Sequence, residues 1–283
     1  MDSDHAVSDH ATVVRDGKIY VFGGYNDDYS EVKTRTFSID TRASGAIEEL
    51  ASMPTKRGDL SAVYYNHGGY DHAFLIGGFT DANNYCAPLA TVEVYNFNSK
   101  TWDVATTTND LDNERGDKVA VVLDGKILAI GGEDKHEDTC DGVDLDPFTQ
   151  GTVVVDEIES WDPRSAAGWQ DETDLPEIRF RSAGAVDERS NTLYFFGGQK
   201  AFDQTCNCYK TADDIYVIVG EQSSGVSNTA IALATSGTVA VVALAALLCV
   251  RRKRGRAKME TAPDAGKAVA GGPGANGEWN DVA

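Results

Sequence analysis

The chain has 283 residues, of which 41% are hydrophobic and 25% are charged, and these proportions are typical of a globular protein rather than a disordered or fibrous one. Its formal net charge at pH 7 is −20. An acidic surface repels phosphate backbones, so the composition argues against a nucleic-acid-binding protein, and we expect no nucleic-acid partner.

The chain opens with a polar stub, residues 1–8. This stub has neither the basic start nor the apolar stretch of a signal peptide. An exported protein needs such a peptide, so either sequence upstream of Met1 is missing or the body of the protein stays in the cytosol. We expect the first, a truncated start.

Residues 9–220 contain four apolar segments that each end in two glycines. Each segment follows another apolar stretch and a turn, and the Asp-Gly pairs at 16–17 and 124–125 are typical of tight hairpin turns. The sequence therefore predicts that every repeat begins with a β-hairpin, whose strands we call a and b. The glycine pairs are Gly23 and Gly24, Gly77 and Gly78, Gly131 and Gly132, and Gly197 and Gly198.

Charged and aromatic residues recur around these hairpins. An arginine precedes strand a in three repeats, and two repeats continue after the glycines with Glu-x-aromatic and then a tryptophan. The residues are Arg57, Arg115 and Arg181, then Glu93, Tyr95 and Trp102, then Glu159, Trp161 and Trp169.

This combination resembles the kelch repeat. The resemblance implies an all-β fold, the β-propeller, in which each repeat is a four-stranded blade and the blades ring a central channel. It also implies that the glycines, arginines, glutamates and aromatic residues above are structural. The four recognisable blades fall near residues 9–50, 57–105, 115–171 and 179–220.

The first and last repeats depart from the kelch pattern. The first has no arginine before strand a, and the last lacks the Glu-x-aromatic, the tryptophan and an outer strand. Kelch propellers usually close with more than four blades, so we expect an incomplete ring with further blades upstream of Met1. A four-bladed ring closed by an irregular strand, or closure by dimerisation, is the alternative.

Four cysteines lie in the repeats. Cys86, Cys140 and Cys206 each follow the second glycine of a repeat by eight residues, which places them in the same loop of successive blades, and Cys208 lies beside the last. Disulfides are expected in an oxidising compartment. Of the three pairings, we favour Cys140 with Cys206 or Cys208, because a Cys206–Cys208 bridge closes a very short loop. Ligand spacing does not support a zinc site with His136, so we expect no metal or cofactor.

Residues 229–250 form an uncharged run of 22 residues after a short linker, residues 221–228. As a helix this run would reach about 33 Å, enough for a single transmembrane span. A basic cluster then marks the cytoplasmic side as a stop-transfer signal, so the propeller is expected outside or in the lumen and the basic, then disordered, tail 251–283 in the cytoplasm. The cluster is Arg251, Arg252, Lys253 and Arg254.

No catalytic motif stands out, so we expect a protein that is not an enzyme. The expected function is binding of a protein or glycan ligand on one propeller face, receptor- or adhesion-like, with the lipid bilayer as a second partner. The alternative is a tail-anchored cytosolic scaffold on an internal membrane. A propeller enzyme such as a metal-dependent oxidase is the less favoured third reading.

Overall fold

The computed structural model describes residues 6–43, 45–82, 85–103, 109–135, 140, 152–220, 230–235 and 238–240. The 21 elements with defined bounds among these residues are all β-strands, and residues 1–245 form one compact unit.

Blade 1 is an antiparallel sheet in which the strands pair in chain order. Its first hairpin turns at Asp16 and Gly17, whose φ angles of 50° and 76° are the left-handed pair that a two-residue hairpin turn requires. The strands, which we call a to d in every blade, are here β1 (Ala11–Arg15), β2 (Lys18–Phe22), β3 (Thr36–Asp40) and β4 (Ala46–Glu49).

Blades 2 and 3 repeat this order, and blade 3 has an extra two-stranded ribbon in the loop between strands b and c. The strands of blade 2 are β5 (Ser61–Tyr65), β6 (His72–Ile76), β7 (Val92–Asn96) and β8 (Thr101–Trp102). Blade 3 contains β9 (Val119–Leu123), β10 (Lys126–Ile130), the ribbon β11 (Glu133–Asp134) and β12 (Val153–Val154), then β13 (Ile158–Trp161) and β14 (Gln170–Asp171).

Blade 4 also carries a ribbon in its b–c loop, and its sheet has five strands. The strands of the sheet are β15 (Ala183–Asp187), β16 (Thr192–Phe196), β19 (Ile215–Val219), β20 (Ala230–Thr235) and β21 (Thr238–Ala240). The ribbon consists of β17 (Gln199–Asp203) and β18 (Cys208–Thr211).

The outer part of blade 4 includes residues from the run 229–250, for which the sequence predicts a transmembrane helix. Where this segment is described it is β20 and β21, and β20 pairs with β19 from Val219 opposite Ala230 to Ile215 opposite Ala234. The physical reason is that β19 otherwise presents an unpaired edge, and an Ala-, Ile- and Val-containing run can form a strand as readily as a helix. The rest of the segment, the linker 221–228 and the tail 251–283 lie outside the described residues. Across the described part of the chain, no helix is long and apolar enough to cross a bilayer.

The apolar core lies between successive blades. In strand b, the residues one and three positions before the glycine pair point toward the next blade, and in blades 1 to 3 these residues are buried there. They are Tyr20 and Phe22, Phe74 and Ile76, and Leu128 and Ile130.

The same positions in blade 4, Tyr194 and Phe196, are each 38% exposed. On the opposite side of blade 1, Val14 is 64% exposed. Strands β1 and β5, β5 and β9, and β9 and β15 pack against each other, but β1 and β15 make no comparable contact. The described blades thus form a ring that is open between blade 4 and blade 1.

Candidate functional site

Two of the arginines predicted to be structural connect the glycine pairs of neighbouring blades. The buried guanidinium of Arg57 donates to the carbonyl of Gly77 at 3.0 Å and pairs with Glu93 at 3.1 Å. Its own carbonyl accepts from the amide of Gly24 at 2.8 Å. Arg115 makes the equivalent contacts to Gly131, Glu159 and Gly78 in the next pair of blades.

In blade 4 this place belongs to Arg179, so the prediction that Arg181 is the third structural arginine is wrong. Arg179 is 1% exposed, pairs with Asp214 at 2.6 Å, and accepts at its carbonyl from the amide of Gly132 at 2.7 Å. The sequence Arg-Phe-Arg offers two candidates, and blade 4 supplies Asp214 in place of the glutamate of blades 2 and 3. Arg181, two residues on, is left free for another role.

The glycine pairs lie at the closest approach of backbone between blades. Gly77 has a φ of 56°, and a side chain there would place its Cβ 2.4 Å from the carbonyl oxygen of Arg115. The other seven glycines of the predicted pairs also have positive φ.

The predicted aromatic residues serve packing. The indole nitrogen of Trp102 donates to the carbonyl of Ala51, and that of Trp169 donates to the carbonyl of Asn109, each at 2.8 Å. Ala51 lies in the connection from blade 1 to blade 2, and Asn109 lies in the connection from blade 2 to blade 3. Tyr95 and Trp161 are buried. None of these side chains lines the cavity described next.

Sequence analysis missed the residues that surround the channel. Asp9, Asp59, Asp117 and Arg181 each lie two residues before strand a of their blade, and all four have left-handed φ angles between 48° and 52°. The amide of Asp59 donates to the carbonyl of Asp9 at 2.9 Å, and the amide of Asp117 donates to the carbonyl of Asp59 at 3.0 Å. The amide of Arg181 donates to the carbonyl of Asp117 at 2.9 Å. Equivalent positions of four blades therefore meet in one backbone chain around the axis.

A cavity of about 500 Å³ opens at this end of the ring, and we call it the channel cavity. Two of its lining side chains, Tyr29 and Tyr85, come from the b–c loops of blades 1 and 2. The full lining is Asp9, Tyr29, Asp59, Tyr85, Asp117, Arg181 and Ser182.

The acidic groups of the cavity have two kinds of partner. The hydroxyl of Tyr29 donates to Asp9 at 2.7 Å, and that of Tyr25 donates to Asp59 at 2.8 Å. Arg181 instead pairs with Asp117, with its Nε 2.8 Å from a carboxylate oxygen.

Arg181 also faces Glu133, the first residue of the ribbon in blade 3. Its Nη2 lies 3.8 Å from Oε1 of Glu133. Glu133 is 1% exposed, and its other oxygen accepts from the hydroxyl of Thr152. Arg181 thus lies between two acidic groups on the blade 3 side of the cavity.

Burial and mutual repulsion shift the titration of these groups. Burial, and then the charge of Asp117, raise the pKa of Asp59 to about 8. The same two causes raise the pKa of Glu133 well above its ordinary value. Burial first, and Asp59 second, raise the pKa of Tyr85 to about 12. The cavity therefore holds more acidic groups than its single arginine neutralises.

Comparisons with known proteins support the architecture. A family model described as Kelch motif matches residues 6–42. A kelch repeat and BTB domain-containing protein and the kelch repeat-containing protein kel-10, both of Caenorhabditis elegans, are each 27% identical, over 159 and 161 residues. Each match covers 56% of this chain and spans about a quarter of the relative's length, 24%.

A solved structure titled "Structure of YjhT" aligns with a TM-score of 0.56 and 15% identity, covering 81% of this chain and 71% of that one. At this identity the likeness concerns the fold alone. The described body is a four-bladed β-propeller whose repeats are similar to the kelch motif.

Two disulfides lie in the b–c loops of this propeller. Cys86 of blade 2 is bonded to Cys140 of blade 3, and Cys206 to Cys208 within blade 4. The favoured pairing of Cys140 with Cys206 or Cys208 is therefore wrong, because the loops of blades 2 and 3 meet beside the cavity. Tyr85 immediately precedes the first of these bridges. His136 lies outside the described residues, and within those described no cluster of three or more His, Cys, Asp or Glu has the arrangement of a metal site.

A sequence signal for the channel residues does exist in the propeller repeats. Arg-Gly-Asp occurs at 57–59 and again at 115–117, so an acidic residue follows each structural arginine at the same distance. In blade 4 the same spacing from Arg179 leads to Arg181. The repeat therefore identifies the channel position once Arg179, and not Arg181, is aligned with the other arginines.

Proposed function

We propose that this chain is a non-catalytic binding module that recognises a partner protein on the propeller face carrying the b–c loops, with the channel cavity at its centre. Kelch-repeat proteins mediate binding to other proteins, and this coarse function agrees with the comparisons above. The observation that carries the proposal is the cavity itself. Equivalent positions of all four blades contribute to it, and tyrosine side chains from two b–c loops line it.

The two ends of the propeller differ in what they offer a partner. The a–b turns at the far end are short, as at Asp16 and Gly17. The b–c loops are longer, differ between blades and contribute Tyr29 and Tyr85 to the cavity. Variable loops on a rigid scaffold are where binding specificity is usually found, so the b–c face is the proposed recognition surface.

A substitution test separates the two ends. Tyr29 and Tyr85 both have φ angles above 50°, which asparagine tolerates, so Tyr29→Asn with Tyr85→Asn removes the aromatic wall without straining the backbone. Asp16→Asn changes the opposite end of β1 and is the matched control. Cross-linking mass spectrometry on the native chain should place partner contacts on the b–c loops, and only the tyrosine variant should lose them. Contacts on the a–b turns, or equal loss in the control, would refute the proposal.

A glycan is the other ligand class we consider for the same face, because tyrosine and carboxylate groups can also hydrogen-bond sugar hydroxyls. Treating the cell surface with glycosidases before cross-linking distinguishes the two. Retained contacts support a protein partner, and lost contacts support a glycan.

Attachment to a membrane through residues 229–250 is a separate part of the proposal. Its support is the uncharged sequence and the basic cluster that follows it. In the structure, residues 230–234 pair with β19, and this pairing and a transmembrane helix exclude each other. Alkaline carbonate extraction of cell membranes decides between them. We expect the full chain to stay in the membrane pellet, and release into the supernatant would show that the strand pairing is the native arrangement.

A further inference from the structure

Two of the acidic side chains in the channel cavity have no cation of their own. In the described part of the chain, Asp9 and Asp59 form no ion pair with lysine, arginine or histidine, and their recorded partners are the hydroxyls of Tyr29 and Tyr25. Asp59 is 8% exposed and still lines the cavity. A buried carboxylate that accepts only one neutral hydrogen bond is poorly compensated for its lost hydration.

Arg181 forms its ion pairs with other acidic groups and acts on Asp59 only at longer range. It is held by Asp117 at 2.8 Å and faces Oε1 of Glu133 at 3.8 Å. That oxygen is fully buried and accepts no hydrogen bond from any described residue, so the charge of Arg181 is already shared between Asp117 and Glu133. Among the described residues, no lysine, arginine or histidine therefore pairs with Asp9 or Asp59, and a basic group that enters the cavity would meet both carboxyl groups.

The walls of the cavity indicate which kind of cation fits. Tyr29 and Tyr85 line it, and the ring of Tyr25 lies 5.3 Å from that of Tyr29. Aromatic faces attract ammonium and guanidinium groups. A calcium ion instead needs six to eight oxygen ligands, and among the described residues no suitable cluster is found. The aromatic and acidic lining together favours an organic cation.

We propose that the channel cavity receives a lysine or arginine side chain of the partner protein, which inserts between Asp9 and Asp59 against the tyrosine wall. This inference rests on the proposed function and specifies the chemistry of its site. The volume of about 500 Å³ accommodates such a side chain. Burial and the charge of Asp117 keep Asp59 protonated up to about pH 8. The positive charge of the inserted side chain favours the ionised carboxylate, so binding below this pH releases the proton of Asp59.

The test uses small cations and a neutral molecule of the same shape as one of them. Ethylguanidinium and butylammonium represent the two side chains, and N-ethylurea is the neutral match for the first. Each is titrated into the 283-residue chain at pH 8.5 and followed by NMR of selectively labelled tyrosine. We expect at least one cation to shift the signals of Tyr29 and Tyr85 saturably and N-ethylurea not to do so.

Substitutions show whether the two aspartates are responsible. Asp9→Asn and Asp59→Asn keep the left-handed backbone, and each should weaken cation binding about tenfold. Asp16→Asn removes the same charge from the other end of β1 and should leave the affinity unchanged. Equal binding of N-ethylurea, equal loss in Asp16→Asn, or saturable binding of calcium that Asp59→Asn abolishes would each overturn the proposal.

The outcome is separable from that of the proposed function. If the tyrosine variant loses the partner but Asp9→Asn and Asp59→Asn do not weaken partner binding, the b–c face is the recognition surface and the cation inference is wrong. If cations bind in the cavity but partner contacts map to the a–b turns, the recognition proposal fails by itself.

Discussion

Asp59 is a residue of the channel whose buried position in the fold disfavours ionisation of its own carboxyl group. Its backbone belongs to the hydrogen-bonded chain around the axis, and its carboxyl lies near Asp9, Asp117 and Arg181 and bonds Tyr25. The native state keeps its proton up to about pH 8, whereas an unfolded chain releases it near pH 4. Between these values the folded state binds more protons, so this group lowers stability as the pH rises from about 4 to about 8.

Asp59→Asn should therefore stabilise the protein at high pH. The amide can still accept from Tyr25, but it carries no charge to bury. We expect a rise of a few degrees in the thermal midpoint at pH 8.5, since about 1 kcal/mol corresponds to about 2–4 °C in a domain of this size. At pH 4.5 the variant and the parent should differ little. A stability difference that is the same at both pH values would contradict the raised pKa of Asp59.

The two arginines near strand a of blade 4 should behave differently. Arg179→Ala leaves Asp214 without its buried partner and should cost about 3–5 kcal/mol in urea unfolding. Arg181→Ala should cost clearly less, because that side chain is 42% exposed at the cavity. If Arg181→Ala is the more destabilising change, Arg181 and not Arg179 is the structural arginine.

At the scale of elements, the b–c loops are shaped by the covalent link between blades 2 and 3. The Cys86–Cys140 bridge joins residues 54 positions apart and lies directly after Tyr85 of the cavity wall. The Cys206–Cys208 bridge spans only 2 positions and constrains the unfolded chain far less.

Removing each disulfide in a separate variant measures how much each one contributes to the free energy of unfolding. Cys86→Ser with Cys140→Ser should lower the free energy of unfolding by about 2–4 kcal/mol, because it releases a long loop. It should also weaken ethylguanidinium binding as Tyr85 becomes less fixed. The matched variant, Cys206→Ser with Cys208→Ser, should change both quantities less. Peptide mapping under non-reducing conditions gives the pairing directly, and a Cys140–Cys206 peptide would contradict the structure.

The strands and the blade repeat could be predicted from sequence because their signals are local. Glycine pairs and Asp-Gly turns act within one hairpin. The channel residues could not, because Asp9, Asp59 and Asp117 become neighbours only when separate blades stack. The run 229–250 is ambiguous for another reason: an apolar segment satisfies the sequence requirements both of a membrane helix and of an outer strand that pairs with the edge of β19.

For the whole molecule, the open side of the ring is the main feature. Phe22 and Phe196 occupy the same place in their blades, but Phe22 is 0% exposed against blade 2 and Phe196 is 38% exposed. Phe22 also contacts the rings of Tyr95 and Trp102 at 6.1 Å and 6.0 Å. Exposed blade faces of this kind are sites for association.

These two phenylalanines give a matched test of ring closure. Phe22→Ala should cost about 3–5 kcal/mol of stability, as for a core aromatic residue. Phe196→Ala should cost at most half as much. Chemical denaturation of both variants over a range of protein concentrations makes the comparison. An equal cost at high dilution would mean that the chain covers this face itself and that the ring is closed.

The most direct test of the cation site is the titration of the Asp59 carboxyl, followed by carbon-detected NMR with and without saturating ethylguanidinium. The account predicts a pKa of about 8 in the free protein, because burial and Asp117 oppose ionisation, and a clear fall when the cation is bound. A pKa near 4 that the cation leaves unchanged would contradict it, because the cavity would then hold no uncompensated acidic group for a basic side chain to meet.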